Sequence, residues 1–194
     1  MRSRLITGLI GLTLLAAGCS SLPGPAQPAV VPALALSPAS LGSDISLAQQ
    51  LHLAGSRHTL LRRIVNGQTL DAQLEVDAQD VRLAAFAMGT RVFTMHWDGS
   101  TLSAEQGSLL LPRVDARRIL RDIQLAYWPA AAVQAALPPS WTLEEQENRR
   151  TLRFEGREAV VLHYAGSPAW QGQTLLDNHL EGYRLRIESV VQEP

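Results

Sequence analysis

Over much of the chain apolar residues recur at every second position, the pattern of strands with one dry face. In Thr69–Val76, for example, Leu70, Ala72, Leu74 and Val76 all fall on one side. The same reading predicts strands at Leu47–Leu53, His58–Val65, Val81–Ala87 and Arg91–Trp97 and, after an interruption, at Trp141–Glu147, Thr151–Phe154, Ala159–Tyr164, Thr174–His179 and Tyr183–Val190. In the last of these Leu185 and Ile187 point one way and Arg184, Arg186 and Glu188 the other, so one face is wet and one dry. Asn66-Gly67 and Asp98-Gly99 stand between strand-like stretches. Both pairs tolerate the positive φ of tight hairpin turns, which makes successive strands antiparallel neighbours.

At Asp115 the period changes. Its carboxylate suits a helix N-cap, and in the segment that follows Ile119, Leu120, Ile123 and Tyr127 form an apolar stripe while Arg117, Arg118 and Arg121 are expected to point elsewhere. The helix is expected to end near Trp128, because a residue preceding proline avoids the helical region, and Pro129 opens a second short helix, Pro129–Leu137, closed by Pro138-Pro139. Alanines at 130, 131, 132, 135 and 136 leave its surface thin enough to approach a sheet closely. The predicted fold class is mainly β: a curved antiparallel sheet or open β-barrel with two short helices as a lid.

The first residues follow another logic. Arg2 and Arg4 precede an uncharged apolar run from Leu5 to Ala17, ending in small residues before Cys19. This is the layout of a secretory signal peptide, and the run falls well short of the ~20 residues of a permanent span. Leu15-Ala16-Ala17-Gly18-Cys19 resembles the lipobox of bacterial lipoproteins, with Ala16 where leucine is commoner. The resemblance implies cleavage before Cys19, acylation of that cysteine and an anchor of two or three acyl chains, enough for stable attachment. In such lipoproteins serine after the cysteine, here Ser20, permits export to the periplasmic face of the outer membrane by the lipoprotein sorting machinery. The expected organisation is thus a signal peptide at 1–18, a lipidated cysteine with a Pro/Ala/Ser-rich tether at 19–43, and one β-rich domain at 44–194. Pro23, Pro25, Pro28, Pro32 and Pro38 forbid a continuous helix in the tether, which reaches up to roughly 70 Å if extended. Leu34, Leu36 and Leu41 leave open that its end packs on the domain.

Composition narrows the chemistry. The formal charge of −1 becomes −3 once Arg2 and Arg4 are removed, and the remaining arginines are interspersed with acids, so nucleic acid is not an expected partner. Cys19 is the single cysteine, so the folded domain has no disulfide, no thiolate metal ligand and no cysteine nucleophile. Every one of the 17 basic residues is arginine, which rules out lysine-based covalent catalysis. His52, His58, His96, His163 and His179 show no zincin spacing, and no Gly-x-Ser-x-Gly elbow occurs. The expectation is a protein without catalytic residues, metal or cofactor.

Two resemblances add context. Val81 to Thr90, followed by the strand into Trp97-Asp98-Gly99, is similar in layout to the strand, apolar loop and strand of LolB, of the LolA/LolB lipoprotein-handling proteins. That likeness implies an open barrel lidded by helices and holding acyl chains. Trp97-Asp98-Gly99, Leu111-Pro112, the run Asp122 to Pro129, Arg149-Arg150 and Gly182-Tyr183-Arg184-Leu185 resemble an uncharacterised envelope lipoprotein family of the DUF3261 type, often encoded beside aryl-polyene genes.

On these readings Phe93, Met95 and Trp97 on one strand face, and Ile119, Ile123, Tyr127 and Trp128 on the covering helix, are candidate ligand-binding residues. The alternative for each is ordinary core. Phe86 and Met88, beside Gly89 in an expected loop, are candidates for touching membrane. Arg149 and Arg150 are candidates for pairing with an anionic group, while Asp98 is expected to serve its turn. The function expected is binding of an acyl or polyene lipid and help in its transfer or insertion; the alternative is a scaffold of an envelope complex with its interior filled.

Overall fold

A computed structural model of the protein describes residues 30–54, 69–107 and 114–192. The expected strand His58–Val65, the turn at Asn66-Gly67, the signal peptide, Cys19 and the first part of the tether lie outside these residues. Among the described residues, β1 (Ile45–Ala54), β2 (Thr69–Val76), β3 (Val81–Ala87), β4 (Thr90–Trp97) and β5 (Leu102–Gln106) precede helices α1 (Ala116–Tyr127) and α2 (Ala130–Ala136). After these come β6 (Trp141–Gln146), β7 (Arg149–Phe154), β8 (Arg157–Tyr164), β9 (Gly172–Asn178) and β10 (Tyr183–Val191).

All ten strands form one antiparallel sheet in the order β5-β4-β3-β2-β1-β10-β9-β8-β7-β6. Each half is a meander, and the halves join where β1 pairs with β10, Leu51 opposite Ile187 and Leu53 opposite Leu185. The edge strands β5 and β6 do not pair with one another, so the sheet is open.

Its curvature follows from what α1 touches. Tyr127 bonds Gln49 of β1, the carbonyl of Ala126 accepts from Tyr164 of β8, and the carbonyl of Leu125 accepts from Arg150 of β7. From β1 to β7 is four strand spacings, about 19 Å in a flat sheet, whereas a helix is only ~10–12 Å across. The sheet therefore wraps around α1, aided by register shifts at Ala85/Phe86 and Leu152/Arg153, where irregular pairing bends a strand. The chain crosses the open side as it passes from β5 through α1 and α2 to β6. Gln134 of α2 accepts from the backbone N–H of Leu143 on β6 at 2.7 Å, occupying an edge donor that would otherwise invite another strand.

Helix α1 begins as the sequence predicts, with the Asp115 carboxylate accepting from the Arg117 N–H at 3.0 Å. It departs from prediction at Arg121, which is only 2% exposed. Arg117 and Arg118 on that side are exposed, but Arg121 meets the N-terminal arm and the start of β10, donating to the Val31 carbonyl and the Tyr183 hydroxyl. Arg121 is matched there by Asp122 and Glu181, at 2.9 and 2.6 Å.

The last part of the tether also belongs to the core. Val31, Leu34 and Leu41 are buried, and Pro38–Leu41 forms a 3-10 turn. Gln124 of α1 exchanges both hydrogen bonds with the backbone of Leu36, at 3.3 and 2.9 Å. Trp97 donates to the Leu36 carbonyl at 2.9 Å, and Trp128 donates to the Ser37 carbonyl and Ser40 Oγ at 3.1 and 3.0 Å. Gln124 is fully buried, so Gln124→Leu is expected to cost about 1–3 kcal/mol, chiefly through the stranded Leu36 N–H, since the Leu36 carbonyl keeps Trp97. Hydrogen exchange would show lost protection in residues 31–41 ahead of the sheet.

Candidate functional site: an apolar cavity between helix and sheet

The inner face of the sheet and α1 do not pack solidly against each other. Between them lies a cavity of about 210 Å³, lined on the sheet by residues such as Leu51, Leu53, Leu83, Ala85 and Phe93 and on the helix by Ile119, Ile123, Ala126 and Tyr127. Burial along each wall gives it a direction. On β1 the inward residues run from Leu47 and Gln49, both buried, to Leu51 and Leu53, both partly exposed. On β10 the paired residues run from buried Ser189 and Ile187 to partly exposed Leu185. On α1 the same gradient leads from buried Tyr127 to partly exposed Ile123 and Ile119. The cavity thus has a floor at Gln49 and Tyr127, with Ser189 bonded to Gln49 outside the lining, and a mouth at Leu53, Leu185, Leu70 and Val114.

Each end carries a few polar groups. At the floor the Gln49 amide donates to the Tyr127 hydroxyl at 3.0 Å and to Ser189 Oγ at 2.9 Å. Burial pushes the Tyr127 phenol up from its ordinary pKa, with its hydrogen bonds opposing, so it stays neutral. Toward the mouth, Asp122 lines the cavity and accepts hydrogen bonds from Arg121 and from the Tyr183 hydroxyl. Burial raises the Asp122 carboxyl, while the adjacent Arg121 guanidinium holds it down. Arg121 also donates to Tyr183 at 3.0 Å, which ties the start of β10 to the helix.

Of the residues singled out in the sequence, Phe93, Ile119, Ile123 and Tyr127 come together on this cavity. Met95, Trp97 and Trp128 do not line it. Met95 and Trp97 share the inner face of β4 with Phe93 but lie beyond the floor, in solid core. Both indoles instead hold the N-terminal arm. Phe86 belongs to β3, not to a loop, and sits half-buried on the outer face of the sheet beside Asp71, Gln73 and Glu188. Met88 alone projects at the β3–β4 turn, 91% exposed, with a positive φ of 49°.

Arg150 is committed to structure: it donates to the carbonyls of Leu125 and Trp128 at 2.7 and 2.8 Å and pairs with Glu145, closing the C-terminus of α1. Arg149 pairs with Glu158 at 3.0 Å. Asp98 accepts from the backbone of Ser100 and Thr101 at 2.8 and 2.7 Å, the turn role expected of it. These hydrogen bonds lower its carboxyl pKa to about 2. His96 meets Asp80 at 2.7 Å and His52 meets Thr69 at 3.2 Å, both away from the cavity.

Sequence reasoning missed Gln49, Leu51, Leu53, Leu83, Ala85 and Asp122 as lining residues. For Gln49 a signal existed: it shares the inward parity of Leu47, Leu51 and Leu53, and a lone amide in a row of leucines marks either a buried network or a ligand contact.

An open antiparallel sheet curled around one helix, with an apolar hollow between them, defines a mainly β protein with an internal cavity. The chain belongs to the family described as Protein of unknown function (DUF3261), whose model matches residues 46–191. That span runs from the second residue of β1 to the last of β10, the whole sheet with both helices. No curated protein matches the chain. Among the described residues no helix is long and apolar enough to cross a membrane.

Proposed function

We propose that this protein is an outer-membrane lipoprotein, acylated at Cys19, whose domain binds an acyl or polyene chain in the cavity and assists its transfer or insertion at the envelope without catalysing a reaction. The observation that carries the reading is the cavity itself, apolar along its walls and open at one end. Its volume of about 210 Å³ exceeds the ~150 Å³ that admits benzene in an apolar interior. It falls below the ~300–1,000 Å³ of pockets that enclose drug-sized ligands. One hydrocarbon chain fits in part, its remainder leaving through the mouth. An open sheet with two helices on its concave side also suits the LolA/LolB-like reading, which rests on fold analogy.

The layout of the mouth end supports a membrane-facing role. The N-terminal arm runs alongside α1, with the Val31 carbonyl at Arg121, Leu36 at Gln124 and Ser37 at Trp128. Traced backward from Ser37 to Val31, the arm runs toward the mouth. The β3–β4 turn lies at the same end, because Phe86 is opposite Asp71 just inside the start of β2. Exposed Met88 and the described start of the arm, near Val31, thus share the end where the cavity opens.

The test is a fluorescence titration of the full mature chain, made soluble by Cys19→Ala, with cis-parinaric acid, a polyene fatty acid that brightens in apolar surroundings. Saturable binding of one molecule per chain, displaced by palmitate, is expected. An unsaturable or absent signal would overturn the reading and favour a scaffold.

A further inference from the structure

We infer that the chain entering the cavity carries a hydroxyl at its buried end, received by Gln49; the inference rests on the lipid-binding reading above. Gln49 is 5% exposed and lies at the cavity floor. Its two amide protons are both spent, one on the Tyr127 hydroxyl and one on Ser189 Oγ. Its carbonyl oxygen, Oε1, accepts no hydrogen bond among the described residues, yet it is not one of the atoms shut off from solvent, so it keeps access to the hollow, whereas nearly all enclosed amides in proteins are paired on both sides.

The chemistry of the floor selects among ligand ends. A methyl terminus leaves the amide oxygen dehydrated and unpaired, which carries a penalty. A carboxylate or phosphate brings acceptors toward an acceptor, and the one ionisable acid or base lining the cavity other than the phenol is Asp122, itself an acid. An ammonium donates but must shed its hydration in an apolar hollow with no carboxylate at the floor to receive it. A hydroxyl is neutral, donates to Oε1, and has lone pairs left to accept from the Tyr127 hydroxyl, which also lines the cavity. The leucines of the walls then take the apolar chain, and any charged group at its other end stays in solvent at the mouth.

The experiment is displacement of cis-parinaric acid from the Cys19→Ala mature chain by three acids of equal backbone: dodecanoic, ω-hydroxydodecanoic and ω-methoxydodecanoic acid. The ω-hydroxy acid is expected to displace the probe at about five- to tenfold lower concentration than dodecanoic acid, the range of one added hydrogen bond. The ω-methoxy acid, which cannot donate, is expected to show no such advantage, and in Gln49→Leu the ratio between the ω-hydroxy and plain acids is expected to fall to about one. Equal displacement by the hydroxy and plain acids, or by the hydroxy and methoxy acids, overturns the inference using the unaltered floor alone, whatever the folding of Gln49→Leu. A preference that survives in Gln49→Leu also overturns it. If none of the three acids displaces the probe, or the probe does not bind, the lipid-binding reading itself fails.

Discussion

Replacing Arg121 with methionine is expected to lower the stability of the domain by about 3–5 kcal/mol, the usual cost of removing one partner from a buried ionic cluster. That is a large part of the ~5–15 kcal/mol by which a domain of this kind is stable. The guanidinium sits between Asp122 and Glu181, both largely shielded from water, and also donates to Tyr183 and the Val31 carbonyl. Without it two carboxylates remain with, among the described residues, the half-exposed Arg118 at 3.6 Å from Glu181 as the nearby cation. The loss is expected to depend on pH, and its sign follows from Asp122. Burial raises that carboxyl and Arg121 opposes the rise, so removing Arg121 raises it further. A carboxyl raised in the folded state favours folding most below its unfolded pKa, about 3.9, and that contribution fades as pH climbs through the folded value. The deficit relative to wild type should therefore shrink as pH falls from about 7 toward about 4. Urea denaturation of both proteins at the two pH values measures this. A deficit independent of pH would show that Asp122 is not the group left unbalanced.

Ile123→Trp is expected to abolish lipid binding while leaving the fold at least as stable. Ile123 is half-buried on the cavity side of α1, one turn from Tyr127 at the floor and one from Ile119 nearer the mouth. A larger apolar ring there has empty space to occupy, and filling a cavity commonly adds about 0.5–2 kcal/mol of stability. The same ring stands where the hydrocarbon would lie, so affinity for cis-parinaric acid should fall by at least about tenfold, equivalent to 1.4 kcal/mol. Ile123→Ala makes the opposite change. It enlarges the hollow, lowers stability by about 1–3 kcal/mol, less than the full cost of emptying a closed core site, and keeps binding. If both variants weaken binding and stability together, Ile123 is ordinary core and the hollow has no ligand.

The amino-acid pattern alone determined most of the elements; β5 was not legible, because Leu102–Gln106 carries no apolar alternation. Alternation in β2, in β4 from Phe93 onward and in β10, the carboxylate cap at Asp115 and the Trp128-Pro129 stop place strands and helices within a residue or two of where they lie, because backbone propensity, capping and the parity of side chains act over a few neighbours. That Phe93, Ile119, Ile123 and Tyr127 share a dry side was legible for the same reason. What parity does not encode is how far a sheet curls and what it closes on. Only the tertiary structure decided that Arg121 is buried, that Trp97 and Trp128 fasten the N-terminal arm, and that Phe93 meets a hollow while Met95, two residues on, meets solid core. These outcomes depend on contacts between segments up to about ninety residues apart, such as Leu36 with Gln124. A residue facing inward learns from its neighbours only that it avoids water; whether protein or open space lies across from it is set by where a distant helix comes to rest.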